Sequence, residues 1–294
     1  MRTAWPWSAS SARPRGARES ARGNTRRIAC GFGAEPPLGG HRTLKIAATA
    51  DVHARADDEA RIAETFAHVR DEADVLVLAG DLTDHGRPGE AEALLRGLHD
   101  VGVPVVAVLG NHDHENGDPK GILRILGSAG IHILDRRRPT CVVEGVGFAG
   151  VKGFGGGFGD RLVRGFGEDS LKAFVAASVL EAEALRAGLL SLETETKFAV
   201  LHYAPVVGTI DTEPSELWPF LGTSRLEAAL DGGRADVAVH GHAHHGRLRS
   251  ATAGGTPVHN VSMPVLRAGG HERAYAVIEL DAHQRHQGLV ARQG

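Results

Sequence analysis

Five short apolar runs, each closed by a polar cluster, constrain this chain more than any other feature. TLKIAATA (43–50) ends in Asp51-Val52-His53, DVLVLA (74–79) in Gly80-Asp81, and VPVVAVL (103–109) in Gly110-Asn111-His112-Asp113. KFAVL (197–201) ends in His202, and ADVAV (235–239) leads into Gly241-His242-Ala243-His244. Runs this short and this rich in Val, Leu and Ile read as strands covered on both faces. Helix-like stretches separate several of them, at 59–70 (with Ile62, Phe66 and Val69 on one face), 90–100, 122–130, 170–192 and 224–231. Further strands are expected at 140–150, 257–261 and 274–280. Alternation of buried strand and helix predicts an α/β layer architecture with largely parallel strands.

Ligand sites of open α/β sheets gather beyond the carboxyl ends of the strands, so the five clusters are expected to converge. In extended backbone, residues i and i+2 point the same way, which suits Asp51 with His53 and His242 with His244 to a shared site. Each cluster alone has an ordinary reading. Asp51 is a turn or cap residue, Gly80-Asp81 a turn, and His202 a satisfied core imidazole. Their occurrence together, each following one of the five runs, makes a shared site the stronger reading. The ligand candidates are then Asp51, Asp81, Asn111, His53, His202, His242 and His244. Carboxylate, amide oxygen and imidazole suit Mn, Fe or Zn, while only two cysteines, Cys30 and Cys141, are present for a thiolate centre. Seven ligands exceed one tetrahedral ion and match two ions sharing a bridge. Histidine is abundant, 17 residues against 14 aromatics, which points the same way.

The net charge of −3 hides a split. Residues 1–42 hold eight Arg and two Glu, a net of +6, leaving −9 on the remainder. This Ser-, Pro-, Gly- and Arg-rich stretch has no helical or strand period and is expected to be a disordered basic leader. The body is expected at 43–282 and a polar tail at 283–294. No apolar run reaches the roughly 18–20 residues of a membrane span, and no apolar core of a secretory signal follows the arginines. A cytoplasmic protein is the expectation. An acidic body without a basic stripe argues against stable nucleic-acid binding.

D-x-H, GD, GNHD, H and GHxH, as they stand at Asp51–His53, Gly80-Asp81, Gly110–Asp113, His202 and Gly241–His244, resemble the signature of the calcineurin-like metallophosphoesterases. The resemblance spans about 44–280. It implies a four-layer α-β-β-α sandwich of two mixed sheets, with the metal site at the strand C-terminal ends. It further implies two divalent ions, one held by Asp51, His53 and His244 and the other by Asn111, His202 and His242, with Asp81 bridging. His112 is then no ligand but assists the leaving oxygen, and Asp113 orients or charge-stabilises its imidazole. In-line attack on phosphorus by a hydroxide that the cations make available completes the implied mechanism.

The resemblance implies a small phosphate-ester substrate, a nucleotide or cyclic nucleotide among the options, and a phosphodiesterase is favoured because GDLTDHG (80–86) is similar to small bacterial enzymes of that kind. A phosphomonoesterase or nucleotidase is the alternative within enzymes. A non-catalytic scaffold of the same fold is the alternative outside them, and the intact ligand set counts against it. His114, Glu115, His240 and His245 crowd the motifs as residues that either support the site or face substrate. The glycine-rich stretch 153–167, with Arg161 and Arg164, is a candidate loop lining the site. It carries no Gly-Lys-Ser/Thr and so is no Walker phosphate loop.

Overall fold

The computed structural model describes residues 43–280. The basic leader expected at 1–42 and the tail at 283–294 lie outside the described residues. The strands are β1 (Leu44–Thr49), β2 (Val75–Ala79), β3 (Val105–Val108), β4 (His132–Leu134), β5 (Thr140–Val143), β6 (Val146–Val151), β7 (Lys197–Leu201), β8 (Val237–His240), β9 (Arg249–Ala251), β10 (Pro257–Asn260) and β11 (Ala276–Leu280). The helices are α1 (Glu59–Phe66), α2 (Val69–Glu72), α3 (Pro88–Gly97), α4 (Pro119–Ser128), α5 (Asp169–Ser191), α6 (Trp218–Leu221), α7 (Ser224–Gly233) and α8 (Met263–Ala268).

Two mixed sheets form. The first has the order β11-β1-β2-β3-β4, parallel except for β11, which closes the edge against β1 with Leu44 opposite Leu280. The second has the order β5-β6-β7-β8-β10-β9, a parallel centre flanked by antiparallel β5 and β9.

Side-chain alternation along each strand sorts the apolar residues into three cores. Ile46, Ala48, Val75, Val77, Val106 and Val108 face Phe148, Phe198, Val200, Val237 and Val239 between the sheets. Ala47, Leu76, Leu78 and Ala107 turn outward onto Ile62, Phe66, Leu94, Ile122 and Leu126 of α1, α3 and α4. Ala149, Val151, Ala199, Leu201 and Ala238 turn outward onto Leu185, Leu189, Leu226 and Leu230 of α5 and α7. The four-layer α-β-β-α sandwich of two mixed sheets follows directly, and both faces of each central strand are buried.

Two expectations change in detail. The single strand at 140–150 is the hairpin β5–β6, because Glu144 (φ 49°) and Gly145 (φ 76°) both adopt the left-handed conformation of a tight two-residue turn. The helix at 59–70 breaks after Phe66 and resumes as α2, so that Phe66 and Val69, both nearly inaccessible, reach the same core. Among the described residues, no helix is long and apolar enough to cross a membrane.

Candidate metal centre

The C-terminal ends of β1, β2, β3, β7 and β8 meet where the two sheets approach each other. Asp51 N–H donates to the Gly80 carbonyl (3.0 Å), His53 N–H to the Asp81 carbonyl (3.0 Å), and Gly241 N–H to the His202 carbonyl (3.1 Å). Asp51 (φ 61°), His53 (φ 45°), Asp81 (φ 48°) and His242 (φ 68°) all lie in the left-handed region. Side chains rarely adopt it, and such strain concentrates at functional sites. The motif glycines have a steric reason. A Cβ on Gly80 would stand 2.3 Å from the His202 Nδ1, and one on Gly110 would stand 2.0 Å from an Asp81 carboxylate oxygen. Each of these glycines clears the space that a candidate ligand from another strand fills.

Two groups of donors result. Asp51, His53 and His244 bring one ligand atom each within 4.8 Å of one another, and so do Asp81, His202 and His242. Asp81 also falls in a group with His53 and His112, so its carboxylate lies between the other two sets. His244 Nε2 is 3.2 Å from Asp51 Oδ1, and the His242 backbone N–H donates to the same carboxylate (3.1 Å). His202 Nε2 is 3.3 Å from Asp81 Oδ1 and 2.9 Å from Asn111 Oδ1. Its Nδ1 donates to the Ala79 carbonyl (3.0 Å), which fixes the tautomer and turns Nε2 toward the centre. His242 Nε2 likewise meets the Phe220 carbonyl at 3.2 Å.

The electrostatics show a cluster rich in donors. Burial works to raise Asp81, yet the neighbouring His202 imidazole holds its carboxyl well below the usual range. Burial penalises charged His202, and Asp81 overrides it, lifting the imidazole to about 9. Burial pushes His242 down to about 4, so it is neutral. His53 is lowered by burial as well, and its Nδ1 is buried without a hydrogen-bond partner. An orphaned imidazole nitrogen and two carboxylates on strained backbone, with the Asn111 amide oxygen on a relaxed one, form a donor set that fits divalent cations.

His112 stands beside this cluster. Its ring packs edge-on against His53, 4.6 Å between centroids, and its backbone N–H donates to Asp81 Oδ1 (2.9 Å). Asp113, expected to orient or charge-stabilise the His112 imidazole, is placed with its carboxylate on other donors. Its Oδ1 accepts from Thr83 N (2.8 Å) and Thr83 Oγ1 (2.6 Å), and its Oδ2 from Gly110 N (2.7 Å) and Leu82 N (3.2 Å). Residues His112–His114 form a 3₁₀ turn, which aims successive side chains in different directions, so His112 faces the cluster while Asp113 faces the interior. Burial raises the Asp113 carboxyl to about 6, against the pull of its four donors. Asp113 therefore ties the loop after β2 to the loop after β3. Asp113→Ala is expected to destabilise the fold by about 3 kcal/mol or more, because four buried donors lose their acceptor. Urea unfolding checks this, and a loss of turnover at unchanged stability would return Asp113 to a role on His112.

The other residues near the motifs separate clearly. His240 is buried, bonded to Thr209 Oγ1 (2.8 Å) and the Gly241 carbonyl (2.8 Å), and supports the end of β8. The backbone and ring of His245 are held by Glu213 (2.7 and 3.5 Å). His114 is pushed down to about 4, by burial and then by Lys152. The glycine-rich stretch packs on the segment leading into α7 through Gly156 N–H to Pro219 O (2.7 Å) and Gly157 N–H to Gly222 O (2.9 Å). Two residues carried no signal strong enough to single them out. Asp84 places its carbonyl 2.9 Å from His112 Nδ1, and the Tyr203 ring lies tilted against that of His242, 4.5 Å between centroids.

Comparison with known proteins bears on the family and the fold. Residues 44–246 match the sequence profile described as calcineurin-like phosphoesterase. A Synechococcus protein named as a probable cyclic nucleotide phosphodiesterase is 35% identical over 81 residues, which cover 24% of this chain and about a third (32%) of that relative. The structure of a phosphopantetheinyl hydrolase from Mycobacterium tuberculosis superposes with a TM-score of 0.59 at 16% identity, covering 80% of this chain and 96% of that one. TT1561 of Thermus thermophilus superposes with a TM-score of 0.50 at 17% identity, covering 82% and 99%. At these identities the two structures speak for the fold alone, whereas the profile spans more than half of the sequence, motifs included. The chain belongs to the calcineurin-like phosphoesterase family of metal-dependent phosphoric ester hydrolases.

Proposed function

We propose that this chain hydrolyses phosphodiesters with the help of two divalent cations. One cation is held by Asp51, His53 and His244, the other by Asn111, His202 and His242, and Asp81 is shared between them. The carrying observation is that Asp81 groups within 4.8 Å with His202 and His242 on one side and with His53 on the other, while His53 also groups with Asp51 and His244. The nitrogen and oxygen donor set suits Mn, Fe or Zn. Cations at these positions supply positive charge to the phosphoryl oxygens and ease deprotonation of the attacking water.

The chain's own residues do the rest. Asn111 and His202 are held together at 2.9 Å, so the second donor group is assembled before substrate arrives. His112 Nδ1 is engaged by acceptors, which leaves Nε2 to give a proton to the departing ester oxygen as the P–O bond breaks. The local similarity to a protein named for cyclic nucleotide hydrolysis supports a diester of nucleotide type as the substrate class.

Hydrolysis of bis-p-nitrophenyl phosphate and of p-nitrophenyl phosphate with Mn²⁺ tests the reading. The expected result is diester turnover at least about tenfold above monoester turnover, a difference of about 1.4 kcal/mol in barrier. The reverse ratio would make the chain a phosphomonoesterase or nucleotidase. Inactivity on both, and on a nucleotide panel, would make it a protein-binding scaffold.

A further inference from the structure

Besides Asp81, which belongs to the donor cluster, three carboxylates stand near His112, and two of them are engaged elsewhere. Asp113 accepts four hydrogen bonds from Gly110, Leu82 and Thr83. Asp84 gives His112 only its backbone carbonyl, while its carboxylate takes Arg55 Nε at 2.9 Å. The third is Glu115. Its Oε1 lies 3.0 Å from His112 Nδ1 and its Oε2 lies 2.8 Å from His85 Nδ1. Its backbone N–H closes the 3₁₀ turn onto the His112 carbonyl at 3.1 Å, so the Cα positions that set this reach are themselves bonded.

We infer that Glu115, clamped by His85, is the positioning carboxylate of His112, the role that chain adjacency would assign to Asp113. The inference rests on the proposed hydrolysis with His112 as proton donor, and it adds the residues that aim that donor. Both partners of His112 Nδ1, the Asp84 carbonyl and the Glu115 carboxylate, are acceptors only. Nδ1 therefore carries a proton, donated to the Asp84 carbonyl (2.9 Å) with the Glu115 carboxylate 3.0 Å away as its ionic neighbour, and a ring flip gives up both contacts. The flip-locked ring presents Nε2 toward substrate. When the imidazolium passes its Nε2 proton to the departing oxygen, the electron pair of the broken P–O bond takes it up, and the imidazole left behind is neutral with Nδ1–H still on the Asp84 carbonyl beside the Glu115 carboxylate. His85 matters because it holds the second carboxylate oxygen. A half-exposed glutamate otherwise samples several rotamers, and each bond that fixes it lowers the entropy lost in meeting His112.

The test uses the full chain loaded with zinc, with Glu115→Ala, Glu115→Gln and His85→Ala as variants. Long-range ¹H–¹⁵N spectra, assigned by the loss of signal in His112→Gln, report the tautomer of His112 without any substrate. The expected wild type shows a slowly exchanging Nδ1 proton that Glu115→Ala renders fast-exchanging. A series of aryl phosphodiesters with leaving groups of rising pKa reports the consequence. Glu115→Ala is expected to lower kcat by about 10–100-fold for the poorest leaving groups and only a few-fold for p-nitrophenolate. Glu115→Gln, which retains an acceptor without the charge, is expected to fall between, and His85→Ala to show the same leaving-group signature at smaller amplitude.

An unchanged Nδ1 proton in Glu115→Ala would overturn the inference. So would a rate loss equal across the leaving-group series, which marks a general structural defect. If the wild type hydrolyses no phosphate ester, the proposed function fails by itself, and the spectra still decide whether Glu115 holds His112.

Discussion

Asp81→Ala is expected to empty the centre of metal and to abolish hydrolysis in one step. Asp81 is almost inaccessible, and its oxygens lie 3.3 Å from His202 Nε2 and 3.8 Å from His53 Nε2, one from each donor group. A carboxylate is the side chain suited to that place, because its two oxygens can serve two cations and its charge offsets theirs. Alanine removes both oxygens and leaves the remaining imidazoles without the shared anion. The loss of charge stabilisation is expected to slow diester hydrolysis by roughly 10³-fold or more, several kcal/mol of barrier. Metal content by mass spectrometry and turnover of bis-p-nitrophenyl phosphate are the paired measurements. Asp81→Asn keeps the volume and the hydrogen bond from the His112 backbone N–H, so it separates loss of charge from loss of packing. An Asp81→Ala protein that retained two metal ions per chain would remove Asp81 from the shared position.

His112→Ala is expected to behave in the opposite way toward metal. Its ring makes no hydrogen bond to Asp51, His244, His202 or Asn111, and its hydrogen bond to Asp81 runs through the backbone N–H, which alanine preserves, so the ring's part is its edge-on contact with His53 and its proximity to Asp81. Both metals should remain. Turnover is expected to fall by roughly 10²–10⁴, the range of a positioned proton donor. The fall should be steepest for poor leaving groups, since those depend most on receiving a proton. Metal analysis decides the assignment: a His112→Ala protein lacking metal would make His112 a ligand and not a proton donor.

Much of the fold was legible in the sequence, and the reason is local. β7 runs from Lys197 to Leu201, the residues of KFAVL, because a stretch apolar on both faces has no other way to bury itself in a layered protein. Legibility declined where a feature depended on backbone torsions or on short pairing. The turn at Glu144-Gly145 lacks the Asn-Gly or Asp-Gly pair that announces a tight hairpin, so β5 and β6 read as one strand. The three-residue strands β4 and β9 are too short to show a period and exist because β3 and β10 offer them an edge.

The same division runs through the candidate site. The residue types at the ends of five strands determined the chemistry of the centre, because carboxylate, amide and imidazole side chains define what a pocket can hold before its shape is known. Tertiary structure alone decided which atoms meet. Asp51 accepts from His242 across 191 residues of chain, and His202 meets Ala79 across 123, distances over which only sheet register and sheet-on-sheet packing act. It also decided the glycines: Gly80 and Gly110 read as turn residues in sequence, and the ring of His202 and the carboxylate of Asp81 supply the reason for them. Adjacency in the chain pointed to Asp113 as the partner of His112. A single 3₁₀ turn sends that side chain inward and brings Glu115, three residues on, back to the imidazole. Residue identity is a property of the sequence, whereas the direction of a side chain belongs to the backbone that the whole fold holds in place.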